Sequence, residues 1–92
     1  MVKILVLLDE NNRIKKVSTN TTGLDLKVGD GFDQLFQDSL YQGLVRHIQN
    51  CRLSDNATSI TSQIISGEDI ISVSVFITPL NGDVSVLILD GS

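Results

Sequence analysis

Apolar residues fall along this chain in two rhythms: they alternate toward both ends and recur every fourth position between residues 40 and 48. The first is the period of a strand, the second that of a helix. From Asp69 to Asp90 two β-branched runs flank Pro79-Leu80-Asn81-Gly82-Asp83. Asn-Gly accepts positive φ at both central positions of a tight turn, so the stretch predicts a hairpin. Pro79 has no N–H to donate and is expected to end the first strand's ladder. In that strand Val73, Val75 and Ile77 share one face, and Ser72, Ser74, Phe76 and Thr78 the other. The second strand is apolar on both sides: Val84, Val86 and Ile88 make one face, while Leu87 and Leu89 fall on the other. A strand of that kind belongs in the middle of a sheet.

Val2 to Leu8 repeats the pattern, with Val2, Ile4, Val6 and Leu8 on one face and Lys3, Leu5 and Leu7 on the other. Asp9 to Asn12 reads as an Asx turn. Arg13 to Thr19 reads as a second strand whose lysines suit a sheet edge. From Asn20 to Phe36 the apolar residues thin out and Gly23, Gly29 and Gly31 interrupt any long helix. Short helical turns are expected there, the clearest over Phe32 to Gln37, with Phe32, Leu35 and Phe36 on one face. Ser39 to Arg52 predicts the one long helix: Leu40, Leu44 and Ile48 step by four, with Tyr41 and Val45 beside them, and Ser39 with Gln42 forms a capping-box pair. Gly43 weakens it. Thr58 to Ser66 is a strand with Ile60, Ser62 and Ile64 on one side, turning at Ser66 to Asp69 into the hairpin. This order of elements predicts an α+β domain with an antiparallel sheet.

Ninety-two residues suit one domain, and 41% hydrophobic with 20% charged is ordinary for a globular chain. The net charge of −4 argues against a nucleic-acid partner. One cysteine excludes an internal disulfide. The apolar opening is too short to span a bilayer and lacks a signal-peptide cleavage site, so a cytoplasmic location is expected, either of a free domain or of the cytosolic part of a membrane-anchored sensor.

Taken in order, these segments resemble a PAS domain. Leu7 to Ile14 is similar to the family's opening hairpin, and Val17-Ser18-Thr19-Asn20 to the point where its second strand gives way to small helices. Gly29 followed by Phe32 and Leu35-Phe36 resembles the short Phe/Leu helix, and Ser39 to Arg52 the long connecting helix. Ile77 to Asp83 resembles the turn between the last strands, and Asp90-Gly91-Ser92 the closing Asp-x-Thr, with serine for threonine. The resemblance implies strand order 2-1-5-4-3, with the helices on one face. Residues 1–92 would then be one domain excised from a longer signalling protein. The inner face would hold Val6, Leu8, Leu35, Phe36, Tyr41, Leu44, Ile48, Ile60, Ser62, Ile64, Val73, Val75, Ile77, Val86 and Ile88. Ser62, Tyr41 and Gln63 would offer polar handles to a small apolar ligand, if the interior is not simply filled. Leu5, Leu7, Phe76, Leu87 and Leu89 would line the outer face as an apolar patch, and such a patch usually marks a partner surface. Its cover would be a second copy of the chain or a flanking helix.

Family members also bind haem or flavin. His47 lies about 100° from the Leu40-Leu44-Ile48 face, which argues against haem. The triplet Asn50-Cys51-Arg52 matches one used by light-oxygen-voltage photosensors, but it ends the long helix where theirs precedes it, so no cofactor is expected. The carboxylates sit mainly in turns and the single histidine and cysteine form no nucleophile–base pair, so no metal or enzymatic activity is expected of this domain. The resemblance implies a sensory and dimerising module, most often of a histidine kinase. It would relay a ligand- or partner-induced change through its sheet to an effector, leaving at Asp90 and Ser92. A purely structural dimerisation module and a roadblock- or profilin-like scaffold are the alternatives.

Overall fold

Each alternating run becomes a strand: β1 (Lys3–Leu8), β2 (Ile14–Asn20), β3 (Thr58–Ser66), β4 (Asp69–Leu80) and β5 (Asp83–Asp90). One α-helix, α1 (Asp38–Ser54), precedes β3. The computed structural model describes residues 1–91, so Ser92 lies outside the described residues. The five strands form one antiparallel sheet in the order β2-β1-β5-β4-β3. The two strands apolar on both faces, β1 and β5, are therefore central neighbours, pairing Leu5 with Leu87 and Val6 with Val86.

Turn chemistry sets the registers. Asn81 (φ 50) and Gly82 (φ 90) both take the left-handed conformation, as a two-residue type I′ turn requires. Pro79 does not end β4; it pairs with Val84, and Leu80 pairs with Asp83. The residues flanking a two-residue turn exchange the hydrogen bonds, so the nitrogen of Pro79 points away from β5. On that side β3 has already ended, its last partner on β4 being Ile77, and no bond is lost. In the β1–β2 turn the Asp9 carboxylate accepts the N–H of Asn11 at 2.9 Å and of Arg13 at 3.0 Å.

Of the short helical turns expected between Asn20 and Gln37, one forms, a 3-10 turn over Asp33–Leu35. The segment before it is held by Asn20, whose side chain donates to the Leu24 carbonyl and accepts from Thr22. The capping box does not form. Gln37 occupies the cap position and makes no side-chain bond there, while Ser39 lies inside the helix. Asp38 in the first turn places a carboxylate at the positive end of the helix dipole instead.

Candidate functional site

The inner face is built by alternation. Ile4, Val6 and Leu8 of β1, Val84, Val86 and Ile88 of β5, and Val73, Val75 and Ile77 of β4 are all buried, with Ile64 of β3 beside them. Above them α1 lays Leu44, Ile48 and Cys51, the spacing of one helical stripe. Leu35, Phe36 and the fully buried Phe32 close the layer, with the two phenylalanine rings 5.7 Å apart and tilted by 56°. Tyr41, Ile60 and Ser62, assigned to this face from sequence, are only half-buried. The inner face is thus mostly core.

Beside it, over β3 and β4, lies an open depression of about 590 Å³, bordered by Leu40 at the start of α1, by Ser62 and Val73 of the inner face, by Thr61, Gln63, Ser72 and Ser74, which alternate to the other face, and by Gly91. Ser62, standing opposite Val73 and between Ile60 and Ile64, is the small side chain that leaves it. Two of the three predicted polar handles, Ser62 and Gln63, border the depression; Tyr41 does not. Partial burial, aided by the Asp33 carboxylate, pushes the Tyr41 phenol above its usual range, so it stays a neutral hydroxyl.

The end of α1 carries three polar residues with distinct environments. His47 is exposed, on the flank predicted for it. Cys51 is buried at 2% exposure, its sulfur 3.9 Å from the Ile77 carbonyl. Burial raises its pKa, which keeps it a thiol and a weak nucleophile. Arg52 spans between turns: its guanidinium donates to the Gly82 carbonyl, to the Asp9 carbonyl at 2.6 Å and to the Asn12 side-chain oxygen at 2.9 Å. One side chain thereby ties the helix end to both the β1–β2 and β4–β5 turns. Among the described residues no group of three or more His, Cys, Asp or Glu side chains is placed to hold a metal, and no helix is long and apolar enough to cross a membrane.

On the outer face Leu5, Leu87 and Phe76 form one row across β1, β5 and β4. Leu89 and Leu7 flank the row. None of the five belongs to the core cluster or packs against it, and Phe76 remains 41% exposed. At the exit, the Asp90 N–H donates to Val2 at 3.2 Å and the Gly91 N–H to Ser72 at 2.8 Å. The carboxylate of Asp90, one of the two residues expected at the exit, has no partner among the described residues. The backbone does the anchoring, because antiparallel pairing continues past the strand end on both sides.

Sequence reasoning omitted several contributors. Ile4, Ile14, Phe32, Cys51 and Val84 join the core, and Leu40 and Gly91 border the depression. Ile4, Phe32 and Val84 were legible from their own periodicity. Arg52 carried only a weak signal, a cation in the last helical turn.

No family model matches the chain, and no curated protein matches it. Among solved structures it is similar to the PAS domain of the Cronobacter turicensis RpfR quorum-sensing receptor in complex with BDSF, with a TM-score of 0.83 and 12% sequence identity, over 100% of this chain and 96% of that one. At that identity the likeness establishes the fold: sheet order, helix position and extent are those of a PAS domain.

Proposed function

We propose that the chain is the sensory module of a larger signal-transduction protein, relaying the state of its helical layer to an effector. The observation that carries this reading is the unequal use of the two apolar sheet faces. One is closed by α1 except beside Ser62; the other carries the row Leu5-Leu87-Phe76 on the three central strands outside the core cluster, its leucines half-buried and Phe76 exposed. The solved PAS neighbour comes from a quorum-sensing receptor and is in complex with BDSF, which adds support.

In this mechanism a small, largely apolar molecule, or a partner side chain, enters the depression against Leu40 and Val73, with Ser62 and Gln63 as hydrogen-bonding groups. It shifts α1, and Arg52 transmits the shift to both turns at the far end of the sheet. The strands then adjust their twist and move the exit at Asp90-Gly91, where a linker to the effector switches between two arrangements. The effector class favoured by the family resemblance is a histidine kinase. The outer row is covered by a second copy of the chain, making the module a homodimer. No cofactor, nucleic acid or membrane contact is needed, and the cytoplasm is its expected compartment.

Native mass spectrometry of the purified domain tests the reading. A retained small molecule supports the sensor. A bare dimer supports the second reading, a structural dimerisation module, which the nearly complete inner core favours. With the β3 edge blocked by Thr61→Lys and Gln63→Lys, Leu87→Glu places a carboxylate in the centre of the outer row and yields monomer; an unchanged dimer removes that interface.

A further inference from the structure

The two edges of the sheet are finished differently. The β2 edge is guarded. It carries two register shifts against β1, bears Lys15 and Lys16, and at Ile14 is closed by the loop, whose Asp30 carbonyl accepts the Ile14 N–H at 2.9 Å while the Gly29 N–H donates back at 2.7 Å. The β3 edge has none of these devices. Its nine residues, TSITSQIIS, hold no charge and no proline, and pair with β4 without a shift. A long uncharged edge is a template for another strand.

The hairpin dictates which backbone groups that template offers. Ser66 and Asp69 flank a two-residue turn whose Gly67 has φ 63. They therefore form a hydrogen-bonded pair, and alternation assigns Ser66, Ile64, Ser62, Ile60 and Thr58 to β4. The N–H and C=O groups of Ser59, Thr61, Gln63 and Ile65 point outward, and none has a partner among the described residues. Ser59, Thr61 and Gln63 are exposed.

We propose that β3 is a self-association edge, pairing antiparallel with β3 of a second copy about a two-fold axis at Ser62. That register is the one in which all four outward residues are paired at once, Ser59 with Ile65 and Thr61 with Gln63 of the second copy, giving about eight backbone hydrogen bonds. On the inner side it sets Ile60 against Ile64, and nowhere does it oppose two charges. A second copy fits better than an unrelated peptide because the strand is complementary to itself. The contact closes at two copies: it is isologous, and the only other edge is guarded. It leaves the outer row free and so is distinct from the dimer proposed above, but it runs along the rim of the depression, which Ser62 and Gln63 border.

Disulfide trapping tests the register. At the axis Ser62 faces its own copy with Cβ atoms about 4.5–5.5 Å apart. Ser59 lies about 20 Å from its copy, six residues along the seam. Ser62→Cys and Ser59→Cys are oxidised separately at equal micromolar concentration, the native Cys51 remaining buried. Ser62→Cys is expected to yield covalent dimer at least about tenfold faster. Adding Thr61→Lys and Gln63→Lys opposes two lysine pairs across the seam and lowers that rate about tenfold. Mixing this protein with one carrying Thr61→Glu, Gln63→Glu and Ser62→Cys restores it as a heterodimer. In the unmodified protein, exchange of the Thr61 and Gln63 amides slows as concentration rises. Equal trapping at 62 and 59, trapping indifferent to the charges, or exchange independent of concentration overturns the proposal.

Discussion

Replacing Ile48 by alanine tests the lever on which the proposed relay depends. Ile48 is 1% exposed, midway along the α1 stripe between Leu44 and Cys51, and closes the inner face over β3 and β4. Truncating a buried isoleucine to alanine costs about 2–5 kcal/mol, made up of lost transfer energy and a residual cavity. The neighbours here belong to a sheet that collapses poorly, so about 3 kcal/mol is expected. A chain of this length has roughly 5–14 kcal/mol in total, so the variant remains folded. Its thermal midpoint should fall by about 12–24 °C, at roughly 4–8 °C per kcal/mol. Urea unfolding followed by circular dichroism measures this, with Leu53→Ala as the control. Leu53 lies on the same helix but is 80% exposed, and its truncation is expected to stay within about 0.5 kcal/mol. Equal losses at the two positions, or a loss below about 1 kcal/mol at Ile48, would mean that the stripe does not fasten α1. A helix not fastened there has no grip on the sheet, and the relay through it fails.

Gly43→Ala should stabilise the domain by about 0.5–1 kcal/mol, seen as a higher urea midpoint, since a Cβ there meets nothing within 4 Å. Arg52→Gln should speed amide exchange in both turns it joins, around Asn12 and Gly82, and lower stability by about 1–3 kcal/mol; exchange unchanged in one of the turns would refute the double tie. The N–H of Arg13 holds the Asp9 carboxyl below its usual range. A depressed folded value means a stabilisation fully present above the ordinary carboxylate range and lost as pH falls from there through the lower folded value, so the thermal midpoint should drop as the pH is taken below about 5, and Asp9→Asn should flatten that part of the slope.

The strands were legible because each carries its own signal. Period two sets the faces, Asn81-Gly82 fixes one turn, and an apolar run on both sides of β1 and β5 demands a central position. Those properties are local, or become topological through one inference about burial. The corrections have a common origin in competition between local rules. Ser39 and Gln42 satisfy the capping-box spacing, but Asp38 is already helical, and a box cannot form inside a helix. Pro79 satisfies the rule for ending a strand, but the rule applies only where a neighbour needs its N–H, and β3 stops short of it.

The candidate site was less legible because its parts meet only in three dimensions. Leu40, Ser62, Val73 and Gly91 come from four segments, and although Ser62 reads from its own strand as facing inward between two isoleucines, nothing local shows that the other three meet beside it. Arg52 is the sharper case. Its bonds reach back to Asp9 and forward to Gly82, across 43 and 30 residues. A cation in the last turn of a helix is commonplace and is ordinarily explained by the dipole. Here the same charge lies where two hairpin turns converge, because β1 and β5 are central neighbours and their turns emerge at one end of the sheet. The strand order that was readable from burial thus creates the meeting point that was not readable. It follows that a residue coupling helix to sheet in this fold should be sought wherever the α1 terminus overlies the turns of the two central strands, irrespective of its identity in the sequence.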